Sequence, residues 1–215
     1  MDCKAVLFDL DGTLLDTLPD FAPALNHALT ACGFPARALG EFNHIIGGGI
    51  RHGIRLALPA AASDADAERV HTEYQRYYAA HCCEHTRPYD GIPELLATLE
   101  KRGVALAVLT NKTECLAQRI IRQYFPDIHF RLVWGNLEPR PLKPLPDAGM
   151  QMLDALGLRP EEAAYVGDSD TDIRFAQACG MLPVGAVWGY RGREELADAG
   201  AVRLADSPAE LAALL

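Results

Sequence analysis

Four short polar clusters hold most of the chemical capacity of this 215-residue chain: Asp9-Leu10-Asp11-Gly12-Thr13, Thr110-Asn111-Lys112, Lys143-Pro144 and Gly167-Asp168-Ser169-Asp170. Carboxylates offer hard oxygens to a divalent cation, while a lysine, a hydroxyl and backbone N–H groups hold anions. The chain carries a formal net charge of −9. An acidic protein that handles an anionic substrate must create positive potential locally, through a metal ion, a lysine or oriented N–H groups. The same charge, with no Lys/Arg run, argues against a nucleic-acid partner.

Three of the clusters directly follow apolar runs, namely Ala5-Val6-Leu7-Phe8, Val104 to Leu109 and Ala164-Tyr165-Val166. Runs of this length suit strands buried on both faces of a parallel sheet. Leu132-Val133-Trp134 and Val184 to Val187 read the same way. Between them lie helical stripes: Leu95, Leu96 and Leu99 within Ile92 to Arg102, then Leu116, Ile120, Ile121 and Tyr124. Alternation of this kind predicts an α/β fold, and ligands of open α/β sheets bind beyond the carboxyl ends of the strands. The clusters are therefore expected to meet there, with Lys143, just before a helix starting near Asp147, as a source of positive charge.

The interval from Leu18 to Arg87 has helical periodicity and no evident strand, with Phe21, Leu25, Ala28, Leu29 and Cys32 on one stripe and Val70, Tyr74, Tyr77 and His81 on another. It reads as an inserted helical domain, residues 18–87, within an α/β core of residues 1–17 and 88–215. Pro19 and the Pro88 to Gly91 segment flank it at turn-rich positions suited to a hinge.

With DLDGTL at Asp9 to Leu14, Thr110, Lys143-Pro144 and GDSDTD at Gly167 to Asp172 in this order, the sequence resembles the haloacid dehalogenase superfamily. The resemblance covers essentially the whole chain and implies a Rossmann-like parallel sheet of order 5-4-1-2-3 with a helical cap in the insertion. It implies that Asp9 is the nucleophile of a Mg2+-dependent phosphohydrolase, forming an aspartyl-phosphate, with Lys143 neutralising the phosphate. Asp11 would protonate the leaving oxygen and later activate water, its backbone carbonyl joining Asp9 and Asp168 as metal ligands. Thr110 and groups near Asn111 would bind the phosphoryl oxygens, and Asp172 would orient Lys143 or the metal waters. The second aspartate sets the chain apart from metal-free dehalogenases of the superfamily. The lysine-free stretch from Leu18 to Arg87 sets it apart from the branch that forms a Schiff base on a cap lysine.

Substrate choice is expected from the insertion, where Gly47-Gly48-Gly49 and Arg51 suit a carboxylate. This loop and Arg87-Pro88-Tyr89-Asp90-Gly91 resemble those of phosphoglycolate phosphatases, so a small phosphorylated metabolite such as 2-phosphoglycolate is the expected substrate. Sugar phosphates, nucleotides or pyrophosphate, a phosphomutase, and a non-catalytic regulator that binds a phosphometabolite are the alternatives. His81-Cys82-Cys83-Glu84-His85 contains zinc-ligand types at poor spacing and reads as ordinary helix-end residues. Tyr74, Tyr77 and Tyr78 read as packing within the insertion. Six scattered cysteines without CxxC read as reduced thiols. With neither a signal-peptide pattern nor an apolar run of membrane-spanning length, the expectation is a cytoplasmic monomer or homodimer without a membrane partner.

Overall fold

The computed structural model describes residues 3–215. The chain opens with β1 (Ala5–Phe8) and the short β2 (Leu15–Asp16), then enters α1 (Leu18–Ala31), α2 (Phe42–Ile45), α3 (Ile50–Ala57) and α4 (Asp64–His81). It returns through β3 (Arg87–Pro88) to α5 (Ile92–Lys101), β4 (Ala105–Thr113), α6 (Glu114–Tyr124) and β5 (Phe130–Asn136). The remainder alternates α7 (Asp147–Leu156), β6 (Ala163–Gly167), α8 (Asp170–Cys179), β7 (Leu182–Ala186), α9 (Arg193–Asp198), β8 (Arg203–Ala205) and α10 (Pro208–Leu214).

Among the described residues, six strands pair in the order β5-β4-β1-β6-β7-β8, every neighbouring pair parallel. This is the expected 5-4-1-2-3 sheet with one further edge strand, β8. All four residues of β1 are buried, because helices cover both faces of the sheet. Side chains alternate across a strand. Val6 and Phe8 join Leu96, Leu99 and Ile120 in one apolar cluster, whereas Ala5 and Leu7 join Met152, Leu153 and Phe175 in another.

The polar cluster expected to follow β4 lies within it: Thr110, Asn111 and Lys112 belong to the strand, where its register against β5 shifts between Leu109 and Thr113. The helical interval leaves and re-enters through an antiparallel pair, Leu15 opposite Pro88 and Asp16 opposite Arg87. Asp20, in the first turn of α1, closes this junction by accepting hydrogen bonds from the backbone N–H of His85 (2.9 Å) and of Thr86 (2.8 Å). The α1 N-terminus has no cap from Thr17; the N–H groups of Thr17 and Leu18 donate instead to Tyr190 Oη at 2.8 and 3.0 Å.

Candidate active site

Asp9 directly follows β1, and its N–H continues the ladder to Val166 at 2.9 Å, which fixes the carboxylate at the carboxyl end of the sheet. Lys143 Nζ lies 2.9 Å from Asp9 Oδ1 as an ion pair outside hydrogen-bond angles, leaving this buried oxygen without a hydrogen bond. The ammonium donates instead to Asp172 Oδ1 (2.6 Å) and Tyr165 Oη (2.7 Å). Tyr165 in turn donates to the Leu109 carbonyl. Burial opposes the charge on Lys143, but Asp172 and Asp9 outweigh it and raise the ammonium above its ordinary value.

Asp172 is placed by helix capping. Ser169 caps α8 while Asp172 Oδ2 accepts from the Ser169 N–H and hydroxyl at 3.0 and 2.6 Å, a reciprocal box that leaves Oδ1 for Lys143. Asp168 accepts from the Thr13 hydroxyl (3.1 Å) and from the Tyr190 N–H (2.8 Å). Gly12, at φ 87°, permits this approach, since a Cβ there would lie 2.3 Å from Asp168 Oδ2.

The donor set suits a hard divalent cation. Asp9, Asp168 and Asp172 offer oxygens within 4.8 Å of one another, all three being buried. Burial and carboxylate neighbours push the Asp9 carboxyl up to about 6 against the pull of Lys143, and raise Asp168 well above its usual range. With Asp11 included, four carboxylates face two ammonium groups, an excess that a divalent cation balances. Among the described residues, the His81 to His85 segment forms no ligand group. His81 pairs with Glu84 and His85 with Asp20.

Asp11 faces the same pocket. Its carboxylate accepts from the Thr17 hydroxyl at 2.6 Å and from Lys112 Nζ at 2.8 and 3.2 Å. Lys112 also donates to Tyr78 Oη of α4 at 2.9 Å, joining the core to the insertion. A second bridge runs from Asn111 Nδ2 to the Gly47 carbonyl (3.0 Å), and the Asn111 amide also pairs with the main chain of Lys143 on both sides. Thr110 lines the pocket, its oxygen accepting the Lys112 N–H at 3.3 Å.

A model of the haloacid dehalogenase-like hydrolase family matches residues 6–186. The chain belongs to this family.

Among its relatives is an N-acetylmuramic acid 6-phosphate phosphatase of Pseudomonas aeruginosa, 34% identical over 212 residues, covering 98% of this chain and 94% of the relative. A phosphoglycolate phosphatase of Xanthomonas campestris pv. campestris is 36% identical over 189 residues, covering 87% and 85%. A solved structure from Lactobacillus delbrueckii subsp. bulgaricus superposes with a TM-score of 0.93 at 29% identity, covering 100% of this chain and 98% of that one.

In this member of the haloacid dehalogenase-like hydrolases, Asp9, Asp11, Thr110, Asn111, Lys143, Asp168 and Asp172 converge at the carboxyl ends of β1, β4 and β6. Gly47 and Gly49 line the pocket. Gly48 packs toward His52 instead. Arg51 does not reach this pocket: its guanidinium pairs with both oxygens of Glu68 and borders a separate surface cleft. No local pattern marks Thr17, Tyr78, Tyr165 and Tyr190, whose roles arise from contacts between distant segments. Thr13 and Lys112 carry a signal in their places within the polar clusters after β1 and around Thr110 and Asn111.

Proposed function

We propose that this chain is a Mg2+-dependent phosphatase of small phosphorylated metabolites, with 2-phosphoglycolate as the leading candidate, acting through an aspartyl-phosphate on Asp9. The observation that carries the reading is the buried Asp9 carboxylate held 2.9 Å from the Lys143 ammonium, in the pocket that Asp11 and Thr110 also line. A buried carboxylate whose charge is offset by a neighbouring ammonium is poised to attack an electrophile.

Asp9 attacks phosphorus, the ester P–O bond breaks, and the leaving oxygen takes a proton from Asp11. Asp11, now a carboxylate, removes a proton from water, which attacks the phosphoryl group and releases inorganic phosphate and Asp9. The Thr110 hydroxyl donates to a phosphoryl oxygen, and Lys143 offsets its charge. Asn111 holds the segment that carries Lys143 in register. Asp9, Asp168 and the Asp11 carbonyl would hold Mg2+, which when bound supplies charge neutralisation at the phosphoryl group. Residues 18–87 act as a cap that excludes water and contacts the leaving group.

The phosphatase names of both curated relatives support the reaction class. A sugar-phosphate substrate is the second reading, favoured by the relative that covers nearly all of this chain. The test is phosphate release from 2-phosphoglycolate, N-acetylmuramic acid 6-phosphate and simple sugar phosphates, with and without Mg2+. Asp9→Asn should reduce release at least about 1,000-fold while leaving the fold intact. Release that survives EDTA or Asp9→Asn overturns the mechanism, and preference for the sugar phosphates replaces the substrate.

A further inference from the structure

Resting on that phosphatase reading, we infer that Lys112 and Tyr78 form the carboxylate-recognition site of the pocket, selecting esters whose carboxylate sits on the phosphate-bearing carbon. Lys112, its ammonium shared between Asp11 and Tyr78, is the cationic side chain among the residues lining the pocket, whereas Lys143, held by Asp9, Asp172 and Tyr165, is not among them. Arg51, the cation expected from sequence for this task, is paired with Glu68 on another surface.

The two groups are complementary donors. Lys112 Nζ donates to Tyr78 Oη at 2.9 Å, so the Tyr78 hydroxyl proton is directed elsewhere, and among the described residues it has no acceptor. Tyr78 is fully buried and the Lys112 side chain is 6% exposed. An ammonium and a hydroxyl side by side and withdrawn from water suit the two oxygens of a carboxylate. Besides Tyr78, the insertion presents Phe21, Ile45, Ile46, Ile50, the Tyr74 ring and the backbone of Gly47 and Gly49 to the pocket, with no charged side chain of its own.

Distance sets the selectivity. Lys112 Nζ is 2.8 Å from Asp11 Oδ1. A proton donor to the leaving oxygen must come within about 2.6–3.2 Å of it. The ammonium therefore lies at most about 6 Å from the leaving oxygen, two hydrogen-bond lengths. A carboxylate on the adjacent carbon spans that gap. One several bonds away, like that of N-acetylmuramic acid 6-phosphate, falls beyond Lys112 among the apolar side chains.

The experiment measures kcat/KM for 2-phosphoglycolate, ethyl phosphate and 3-phosphopropionate with the full-length wild type, Lys112→Met and Tyr78→Phe, all with Mg2+. Wild type should prefer phosphoglycolate over ethyl phosphate at least about 100-fold and over the longer acid at least about 10-fold, matching the loss of a charged contact. Lys112→Met should collapse the phosphoglycolate to ethyl phosphate ratio toward one, chiefly through KM, and Tyr78→Phe should reduce it several-fold. A wild type indifferent to the carboxylate or favouring the longer acid overturns the inference without needing either variant. Equal losses on phosphoglycolate and ethyl phosphate in Lys112→Met also overturn it, because Lys112 would then act only through Asp11. Release from a sugar phosphate but from none of the three esters overturns this inference and leaves the phosphatase reading standing, whereas release from neither set removes both.

Discussion

Lys143 Nζ and Asp172 Oδ1 are 2.6 Å apart, with both side chains almost fully withdrawn from solvent. Asp172 also completes the cap of α8 through Ser169, so one carboxylate anchors a helix and orients the cation beside Asp9. Removing one partner of a buried ion pair leaves an uncompensated charge. Asp172→Ala should lower stability by about 3 kcal/mol in urea unfolding at pH 7 and cut phosphate release sharply. A loss under about 0.5 kcal/mol would show that Asp9 and Tyr165 alone suffice to hold the ammonium.

Metal binding should stabilise the protein, increasingly so at higher pH. Burial raises the Asp9 carboxyl from 3.8 to about 6, so the folded chain holds this proton more tightly than the unfolded chain. Its contribution to stability is present below the ordinary value and is lost as pH rises through about 6. Mg2+ restores what ionisation removes. At a concentration of 100 times Kd, binding is worth about 2.7 kcal/mol, roughly 5–10 °C in Tm for a chain of this length. Thermal melts at pH 5 and pH 8, with and without Mg2+, should show the larger shift at pH 8. A shift that is absent, or equal at both, would count against a carboxylate metal site.

Of the chemistry, the sequence displayed what lies on contiguous motifs at strand ends. Asp9, Asp11, Thr110 and Asp168 were legible because the apolar runs of β1, β4 and β6 stop where these polar residues begin, and Lys143 because it shortly precedes α7. Lys112 and Tyr78 were not, because their meeting depends on how α4 docks over β4, and no local periodicity encodes that contact. Two-residue strands such as β2 and β3 are too short for an alternation to register, and β8 has only Arg203, Leu204 and Ala205 to announce it. Arg51 misled for a related reason: its spacing from the glycines suited a ligand, but Glu68 on the neighbouring helix claims it.

Asp20 should govern how firmly the insertion is tethered. Burial alone would raise its carboxyl, but hydrogen bonds from Thr86 and His85 outweigh that and hold it below the ordinary value. This contribution is present above the ordinary carboxylate value and is lost as pH falls through the depressed one. Asp20→Ala should cost about 2–4 kcal/mol at pH 7, since several charge-assisted bonds go at once. In urea titrations the gap between wild type and variant should narrow toward pH 3. A gap that stays constant with pH would mean the contacts matter only through packing.

Tyr190 touches both the site and the junction, its N–H on Asp168 and its hydroxyl on the first amides of α1. Tyr190→Phe keeps the former and removes the latter. The expected cost is about 1–2 kcal/mol, the scale of a lost helix cap. Amide exchange at Thr17 and Leu18 should accelerate at least about 10-fold, while the Mg2+-induced shift in Tm persists. Unchanged exchange at both amides would refute the capping role.

The pairing of Leu15 with Pro88 and Asp16 with Arg87 means that the helical excursion departs and returns through one two-stranded ribbon. For a segment closed in this way, each doubling of its length adds only about 0.6 kcal/mol of closure entropy. Insertions and deletions within the excursion thus leave the strand register that aligns the hydrolytic groups untouched. Lineages descended from such a chain can rebuild the excursion, loop by loop, while the groups at the carboxyl ends of β1, β4 and β6 stay where they are.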